Sequence, residues 1–348
     1  MSKVLVTGSK GFIGQNLVCA LKERKDEVFE FDLGVPESSL REYLSKADIV
    51  YHLAGVNRPK DPKEFMTGNY GLTEKIVNLL GSRQVPIVIT SSIQAELDND
   101  YGKSKKAAED YLRDNCKEAR IYRLPNVFGK WSRPNYNSAI ATFCHNIARD
   151  LPIQINDEKT EMTVAYIDDV VNTLIDDAEL IIYKVTLGEL VERIKNYKKD
   201  AITAPLQDGL GRKLHATYLS YLPEGGFSYP LKMNTDERGS FTEMLHTPER
   251  GQVSVNVISS KVTKGNHWHN TKNEKFLVVS GDGVIRFRRI NDEKVIEYKV
   301  SGKKMEIVNI PPGYTHNIEN IGTSELICVI WANEVFSPEL PDTFYEEV

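Results

Sequence analysis

The sequence has few cysteines and no long hydrophobic segment. No apolar run approaches the roughly 18 residues that a membrane-spanning helix needs, and the first residues, MSKVLVTGSK, lead straight into a predicted strand without a signal peptide. The spacing of the cysteines gives no disulfide framework. We therefore expect a cytoplasmic protein with reduced thiols at Cys19, Cys116, Cys144 and Cys328.

Strongly charged segments are absent as well. The chain of 348 residues carries 44 basic and 49 acidic residues, a formal net charge of -5, and no basic run. Nucleic acids and anionic membranes attract positively charged surfaces, so we expect neither as a partner. The length fits two domains, because a domain typically holds about 100–200 residues.

The two parts of the chain have different hydrophobic patterns. Over residues 1–222, short apolar runs such as KVLVTG alternate with helical patterns such as GQNLVCALKERK, which predicts a Rossmann-like α/β fold with a doubly wound parallel sheet. The stretch LPEGGFSYP marks a change near Leu222. Residues 223–348 contain short alternating runs, which predict an all-β sandwich or barrel with Ile285 and Phe287 inside. Within them, SGDGV predicts a tight hairpin.

Glycines follow the first predicted strand in TGSKGFIG. They would let the backbone approach a pyrophosphate at a helix N-terminus, which favours an anion. Asp32, at the end of the next strand, would bind ribose hydroxyls and favours NAD(H), whereas Lys10 favours the 2′-phosphate of NADP(H). The predicted cofactor-binding residues are Gly8, Lys10, Gly11, Phe12, Ile13, Gly14 and Asp32.

A tyrosine and a lysine four residues apart follow in YGKSK. Tyr101 and Lys105 would share one helix face, where the ammonium group would lower the phenol pKa and promote proton exchange. Ser91 and Ser92 precede them at a strand end, and a serine hydroxyl there would orient a substrate carbonyl. This order of motifs favours a carbonyl-reducing site.

Together with HLAG, TSSI and LPNVFG, these motifs resemble the extended short-chain dehydrogenase/reductases that act on nucleotide sugars. The resemblance covers about residues 1–220. It implies Ser92, Tyr101 and Lys105 as the catalytic residues, with Asn126 near the sugar nucleotide. One strand–helix unit common in that family is missing after Asp32, where the sequence has room for a single helix before DIVYHLAG.

The second half contains a metal-type spacing in GNHWHNTKNE. His267 and His269 would point to the same face of a strand, Glu274 begins the next apolar run, and His316 follows a Pro-Gly turn. Three imidazoles and one carboxylate would suit Zn²⁺ or another divalent transition metal. The residues for proton transfer stay unassigned among three neighbours of these motifs, Lys264, Lys275 and Tyr314.

These spacings resemble the two motifs of the cupin barrel superfamily. The glycines that usually precede each motif are displaced or absent, and Lys261 and Met305 stand there. The earlier segment DERGSFTE resembles cupin-type epimerases of 4-keto-6-deoxy nucleotide sugars. By that resemblance, Arg238 would contact the substrate.

Over its whole length, the chain resembles a family of capsular polysaccharide synthesis enzymes that join the two modules. The resemblance implies that the cupin domain epimerises C3 of a UDP-2-acetamido-2,6-dideoxy-L-hexos-4-ulose. The reductase domain would then reduce C4, giving UDP-2-acetamido-2,6-dideoxy-L-talose, a precursor of N-acetyl-L-fucosamine for capsule or O-antigen. NADPH, zinc and a homodimer are also implied. Two alternatives stay open: a C4 reductase with a structural, dimer-forming cupin, and a protein that senses NAD(P)H and a sugar nucleotide without turnover.

Overall fold

The computed structural model describes residues 1–203, 209–247 and 249–348. The chain divides into two compact units, Met1–Lys198 with Lys213–Pro223, and Lys199–Arg212 with Glu224–Val348. The domain boundary expected between residues 222 and 223 stays a prediction. Among the described residues, every helix is too short or too polar to cross a membrane.

The N-terminal unit is built on a five-stranded parallel sheet with the strand order β2-β1-β3-β4-β5. Parallel strands need crossover connections, and helices provide them here. The strands are β1 (Lys3–Thr7), β2 (Glu27–Phe31), β3 (Ile49–His52), β4 (Ile87–Ser92) and β5 (Ala119–Leu124). The helices are α1 (Phe12–Glu23), α2 (Glu37–Lys46), α3 (Lys63–Phe65), α4 (Leu72–Leu80), α5 (Asp100–Asn115), α6 (Ala139–Ala148), α7 (Ile167–Asp176), α8 (Leu187–Lys199) and α9 (Gly209–Ser220). The last residue of α8 and the residues of α9 up to Arg212 belong to the C-terminal unit.

Both faces of this sheet are covered. Val4 and Val6 of β1 pack in one apolar core with residues of α1 and α7, whereas Leu5 packs in a second core with residues of α2, α4 and α5. Successive side chains of a strand point to opposite faces, so the alternation in β1 separates the two cores. This arrangement confirms the Rossmann-like parallel sheet. A single helix, α2, joins β2 to β3, as the length of that segment predicted.

A second, three-stranded sheet follows in the same unit. It contains β6 (Asn126–Phe128), β7 (Glu161–Tyr166) and β8 (Ile182–Thr186); β6 is parallel to β7, which is antiparallel to β8. The stretch ARIYRLPNVFG therefore contributes to two sheets, with β5 ending just before Pro125 and β6 beginning just after it. Proline has no N–H to donate to a strand ladder, which explains the interruption.

The C-terminal unit contains two antiparallel sheets. The strand orders are β16-β13-β18-β11-β10-β9 and β15-β14-β17-β12-β19. The strands are β9 (Met233–Asp236), β10 (Gly239–Thr247), β11 (Gly251–Ile258), β12 (Thr263–Trp268), β13 (Glu274–Ser280), β14 (Asp282–Arg289), β15 (Val295–Ser301), β16 (Ile307–Ile310), β17 (Tyr314–Asn320), β18 (Leu326–Ala332) and β19 (Phe344–Tyr345). Ile285 and Phe287 lie in the apolar core, as the alternation predicted. An antiparallel, β-rich second part is thus confirmed.

The prediction of a tight hairpin at SGDGV is wrong. β13 pairs with β16 and β18, whereas β14 pairs with β15 and β17 in the other sheet. Gly281, between the two strands, has a φ of 84°, and a Cβ there would lie 2.9 Å from the carbonyl oxygen of Glu325. The glycine therefore lets the chain cross between two sheets instead of folding back on itself.

Candidate functional site

The glycine-rich loop lies between β1 and α1, at the carboxyl end of the parallel sheet, where such folds bind ligands. Gly8 has a φ of 70°, and a Cβ there would lie 2.7 Å from the backbone nitrogen of Ala54. A Cβ on Gly14 would overlap the carbonyl oxygen of Gly8. Gly11 is the N-cap of α1. Glycine is therefore required for the close packing of this loop.

The groups around this loop fit a dinucleotide. Within the part of the chain that the structure describes, the hydroxyl of Ser9 is buried without a hydrogen-bond partner, and no side chain caps the N-terminus of α1. Phe12 and Ile13 form the first turn of α1 while their side chains pack on the core. The free N–H groups of that turn are suited to a pyrophosphate.

Asp32 is bound to the loop itself. Its two carboxylate oxygens accept hydrogen bonds from the backbone N–H groups of Lys10 and Leu33, each at 2.7 Å. The side chain of Lys10 is exposed. Asp32 therefore fixes the glycine-rich loop to the end of β2, a role that its sequence position did not reveal, and the choice between NAD(H) and NADP(H) stays open.

The structure brings the three predicted catalytic residues together. Ser92 ends β4, and its hydroxyl accepts a hydrogen bond from the N–H of Gln94 at 3.2 Å. Tyr101 and Lys105 lie one turn apart on α5, with the Lys105 Nζ 6.0 Å from the centre of the Tyr101 ring. The same Nζ donates to the carbonyl of Thr90 at 3.1 Å. Strand β4 and helix α5 thus position the hydroxyl, phenol and ammonium groups.

Burial determines the proton affinities here. It raises the pKa of the Tyr101 phenol, and a hydrogen bond with Ser92 opposes that rise. The lowering of this pKa expected from the Tyr–Lys spacing is therefore wrong. Burial lowers the pKa of Lys105 to about 8, although Glu109 opposes this. A phenol that stays protonated at neutral pH is suited to donate a proton, which is what reduction of a ketone requires.

We predict that the buried Lys105 makes stability depend on pH. Its pKa falls from 10.5 to about 8 on folding, so the unfolded chain binds more protons between these values and stability rises with pH there. Relative to Lys105→Met, the free energy of unfolding of the wild-type protein should increase by on the order of 2 kcal/mol across this range. Urea denaturation of the cofactor-free proteins measures this, with the surface substitution Lys106→Met as control. Parallel pH profiles for wild type and Lys105→Met would contradict it.

Two buried residues next to the three predicted catalytic residues were missed from the sequence. Glu109 is fully buried and accepts hydrogen bonds from Ser91 at 2.6 Å and from Arg123 at 2.7 Å, which ties α5 to β4 and β5. Asn69, in a π-helical turn between α3 and α4, accepts a hydrogen bond from the N–H of Val56 at 2.8 Å. In the sequence, Glu109 is marked only by its position one helical turn beyond Lys105. Asn69 belongs to no recognisable motif.

Gly55 of the HLAG motif explains the position of Asn69. A Cβ on Gly55 would lie 2.7 Å from the Asn69 Oδ1 and 3.2 Å from the Lys105 Nζ. The motif therefore leaves room for both polar groups beside the sheet. Asn126, by contrast, is exposed at the start of β6, where its side chain donates to the carbonyl of Thr163 at 3.3 Å.

In the C-terminal unit, His267, His269, Glu274 and His316 converge. Their potential ligand atoms all lie within 4.8 Å of one another. The Glu274 Oε2 lies 3.3 Å from the His316 Nε2 and 3.6 Å from the His269 Nε2. These three atoms are buried and have no hydrogen-bond partner among the described residues. Tetrahedral ligands at zinc distances are about 3.4 Å apart, so the unpartnered donors fit a divalent ion.

Burial and mutual repulsion keep one imidazole of this cluster neutral. Burial, with His316 and His269, lowers the pKa of His267 to about 4, although Glu274 opposes this. Burial raises the pKa of Glu274, but the neighbouring imidazoles hold it well below its usual range. Neutral imidazole and ionised carboxylate are the forms that bind metals.

A β-bulge at Asn266 adds a lysine to this site. Asn266 has a φ of 61°, and the register of β12 against β17 shifts there, so that Lys264 pairs with Ile318 and His267 with His316. Residues opposite each other in an antiparallel pair point to the same face. The bulge thus places Lys264 on the same face as His267. In a regular strand, residues three positions apart would point to opposite faces.

These residues line one cavity of about 440 Å³, a size typical of small-molecule sites. Arg238 lines it too, and its guanidinium forms an ion pair with Asp236 at 2.5 Å. Of the three residues considered for proton transfer, Lys264 lines the cavity, whereas Lys275 is exposed and binds Asn309, and Tyr314 is not part of the lining.

Comparison with known proteins identifies the family. UDP-2-acetamido-2,6-beta-L-arabino-hexul-4-ose reductase from Pseudomonas aeruginosa is 48% identical over 363 aligned positions, which cover 98% of each chain. The crystal structure of the capsular polysaccharide assembling protein CapF from Staphylococcus aureus is 49% identical, with a TM-score of 0.91 over 99% of this chain and 100% of the other. The chain belongs to the CapF family. The resemblance to capsular polysaccharide synthesis enzymes is thus confirmed.

Two domain families match parts of this CapF-family chain. Residues 4–175 match the NAD dependent epimerase/dehydratase family, and residues 234–344 match the polysaccharide biosynthesis C-terminal domain. The chain is therefore an enzyme of the nucleotide-sugar reductase and epimerase group that functions in polysaccharide biosynthesis, and members of the first family bind NAD(P). UDP-glucose 4-epimerase from Thermus thermophilus, in complex with NAD, is 20% identical over 63% of this chain with a TM-score of 0.52, a likeness that shows a shared fold.

Proposed function

We propose that this CapF-family protein is bifunctional. A cupin domain, residues 223–348, epimerises C3 of a UDP-2-acetamido-2,6-dideoxy-L-hexos-4-ulose. A short-chain dehydrogenase/reductase domain, residues 1–222, then reduces the C4 ketone with NAD(P)H to UDP-2-acetamido-2,6-dideoxy-L-talose, a precursor of N-acetyl-L-fucosamine for capsule or O-antigen. The name of the Pseudomonas relative, a UDP-hexul-4-ose reductase, supports the substrate class.

The chemistry of the ketone fixes the order of the steps. A carbonyl makes the hydrogens on the adjacent carbons acidic, so a base can remove the C3 proton and an acid can return it to the opposite face. Reduction of the C4 ketone to an alcohol abolishes that acidity. Epimerisation therefore precedes reduction.

The observation that carries the epimerase half is the convergence of unpartnered ligand atoms in a ligand-sized cavity. His267, His269, Glu274 and His316 would hold a divalent metal. When bound, such an ion acts as a Lewis acid that stabilises negative charge on substrate oxygen. A cupin barrel agrees with the two antiparallel sheets and with ligands on β12, β13 and β17. Arg238 lines the same cavity and would bind the substrate.

The reductase half depends on Ser92, Tyr101 and Lys105. When bound, NAD(P)H supplies the hydride. The Ser92 hydroxyl, close to the phenol, orients the carbonyl oxygen. The protonated phenol of Tyr101 donates its proton to that oxygen, and the Lys105 cation stabilises the phenolate that is left. Asn126 would contact the sugar nucleotide.

Lys264 is our candidate for proton transfer in the cavity. Its Nζ donates to Asn256 Oδ1 at 3.1 Å and to the carbonyls of Val257 at 3.0 Å and Ser240 at 3.4 Å. These three acceptors favour the protonated form of the amine. Burial lowers the pKa of Lys264, as does the charge of Arg238, whereas Asp236 raises it. Such a cation would return a proton to the sugar.

We predict that Lys264→Met slows epimerisation by on the order of 10²-fold, the usual contribution of a general acid. Bound metal and C4 reduction should be unchanged, because neither site loses a ligand. Lys275→Met is the matched control, since that lysine is exposed and binds Asn309 outside the cavity. An equal loss of epimerisation rate in both variants, or no loss in Lys264→Met, would contradict the role of Lys264 in proton transfer. Deuterium incorporation at C3 measures the rate.

The product identifies the reaction. The purified protein is incubated with the 4-keto UDP-sugar and NADPH, or NADH, and the product is characterised by NMR. The proposal predicts inversion at C3 together with an alcohol at C4. An alcohol at C4 with unchanged C3 would support the alternative, a C4 reductase with a structural, dimer-forming cupin, which the reductase name of the relative favours. If C3 is not inverted and C4 is not reduced, the protein would be a sensor without turnover.

A homodimer is also part of the proposal. β15 is an edge strand of its sheet and carries three exposed apolar side chains, at Val295, Ile296 and Tyr298. Edge strands with apolar surface are suited to pairing with a second copy. Sedimentation equilibrium at micromolar concentration would give the mass of two chains.

A further inference from the structure

The end of the chain lies against β12, the strand that carries His267 and ends one residue before His269. β19 pairs with β12, with Tyr345 opposite His267 and Phe344 opposite Trp268. The rings of Trp268 and Phe344 stack with their centres 4.8 Å apart. β17 pairs with the other side of β12, so the C-terminal segment covers what would otherwise be an exposed strand edge.

One residue of this segment, Asp342, holds the loop that joins β12 to β13. Its carboxylate accepts hydrogen bonds from the backbone N–H groups of Asn270, Thr271 and Lys272, each at 2.9 Å, and from the Thr271 hydroxyl at 3.1 Å. Although burial raises it, these N–H groups hold the pKa of Asp342 well below its usual range. The loop between the ligands is therefore fixed by an ionised side chain 70 residues away in sequence.

The backbone of the same residue acts on a ligand directly. The carbonyl oxygen of Asp342 accepts a hydrogen bond from the His269 Nδ1 at 2.6 Å. A proton on Nδ1 leaves the lone pair of a neutral imidazole on Nε2. That Nε2 is the buried, unpartnered atom that faces Glu274. Asp342 thus selects the tautomer of His269 that can bind a metal through Nε2.

We propose that Asp342 is a positioning residue of the metal site: its carboxylate fixes the loop that leads to Glu274, and thereby keeps its own backbone carbonyl in place to set the orientation and tautomer of His269. The inference rests on the proposed metal site and extends it, because it makes the last residues of the chain part of that site. Outer hydrogen-bond partners of metal-binding histidines typically contribute about 10–100-fold to metal affinity.

The test uses the full-length, chelator-treated protein and Co²⁺ alone as the probe. Wild type, Asp342→Ala and Asp342→Asn are titrated, and the d–d absorption spectrum and the thermal unfolding of each are recorded. The control is Glu339→Ala, because Glu339 lies in the same segment and its carboxylate binds the Ser337 hydroxyl. We expect Asp342→Ala to raise the Co²⁺ dissociation constant about 10–100-fold and to change the spectrum. Asp342→Asn, with one accepting oxygen, should be intermediate, and the control should match wild type.

Each outcome bears on one claim. Unchanged affinity and spectrum in a folded Asp342→Ala protein would overturn the role of Asp342 while leaving the metal site in place. If wild type itself fails to bind Co²⁺, the metal site is wrong and this inference falls with it. Should Asp342→Ala not fold, Asp342→Asn decides: weaker binding at an unchanged unfolding midpoint supports the proposal, and wild-type binding overturns it.

Discussion

Tyr101→Phe is expected to lower the rate of C4 reduction by about 10²–10⁴-fold, the usual contribution of a positioned acid. The substitution removes the hydroxyl that, in the proposed mechanism, donates the proton to the carbonyl oxygen. It keeps the ring, which packs against Phe65 with centres 5.7 Å apart, so folding should not change. NAD(P)H oxidation with the 4-keto UDP-sugar measures the rate, and metal analysis should give the wild-type content.

The matched control for this variant is Tyr111→Phe. Tyr111 lies on the same helix, and its hydroxyl bonds to the Asn78 side chain at 3.2 Å, near the surface. The Tyr111→Phe variant should oxidise NAD(P)H at the wild-type rate. Full activity in Tyr101→Phe would mean that the reductase site is misassigned, whatever the state of the C-terminal unit.

His269→Ala and His267→Ala are expected to remove the metal and epimerisation together. Loss of a direct ligand should weaken binding by more than the roughly 10–100-fold that outer partners contribute. The epimerisation rate should fall in proportion to bound metal, while NADPH affinity stays at the wild-type value because the glycine-rich loop belongs to the other unit. Plasma emission spectroscopy and C3 deuterium incorporation measure the two losses.

His246→Ala is the control for these two variants. It removes an imidazole from the same unit, but one that binds Glu243 at 2.8 Å and Thr203 at 2.6 Å, outside the candidate cluster. Its metal content should equal that of wild type. Wild-type metal content in His269→Ala as well would contradict the assignment of the ligands.

Much of the architecture was predictable because its signals are local. The alternation of strand and helix patterns over the first half predicts the parallel sheet, and residues at the carboxyl ends of β1 and β4 meet because parallel strands share that edge. The two-residue spacing of His267 and His269 likewise gave their common face. The candidate sites follow from these short patterns.

Features created by long-range contacts were not predictable. The bulge at Asn266 turns Lys264 inward, but the sequence there is compatible with a regular strand. Asp342 reaches His269 across 73 positions, a pairing that no spacing reveals. Tyr101 provides a third case, because its pKa is raised by burial, and burial depends on the packing of the whole site.

The strained backbone conformation at Lys261 was also not predictable from the sequence. Lys261 occupies the position where the cupin motif usually has glycine, and it adopts a φ of 64°, which an L-residue rarely does. Its N–H donates to the carbonyl of Asn320 at 3.1 Å, and its Nζ donates to that of Ile321 at 2.6 Å. These bonds hold a glycine-like turn at Lys261 without a glycine, a backbone conformation that the sequence alone did not indicate.

Hydrogen exchange at C3 tests the central claim most directly. The full-length protein is incubated in D₂O with the 4-keto UDP-sugar and without NAD(P)H, so that the ketone persists. We predict deuterium at C3 with metal-loaded protein, and only the enzyme-free background after chelation. A metal-loaded protein that leaves C3 protonated, yet reduces the ketone once NADPH is added, would contradict the two-step account.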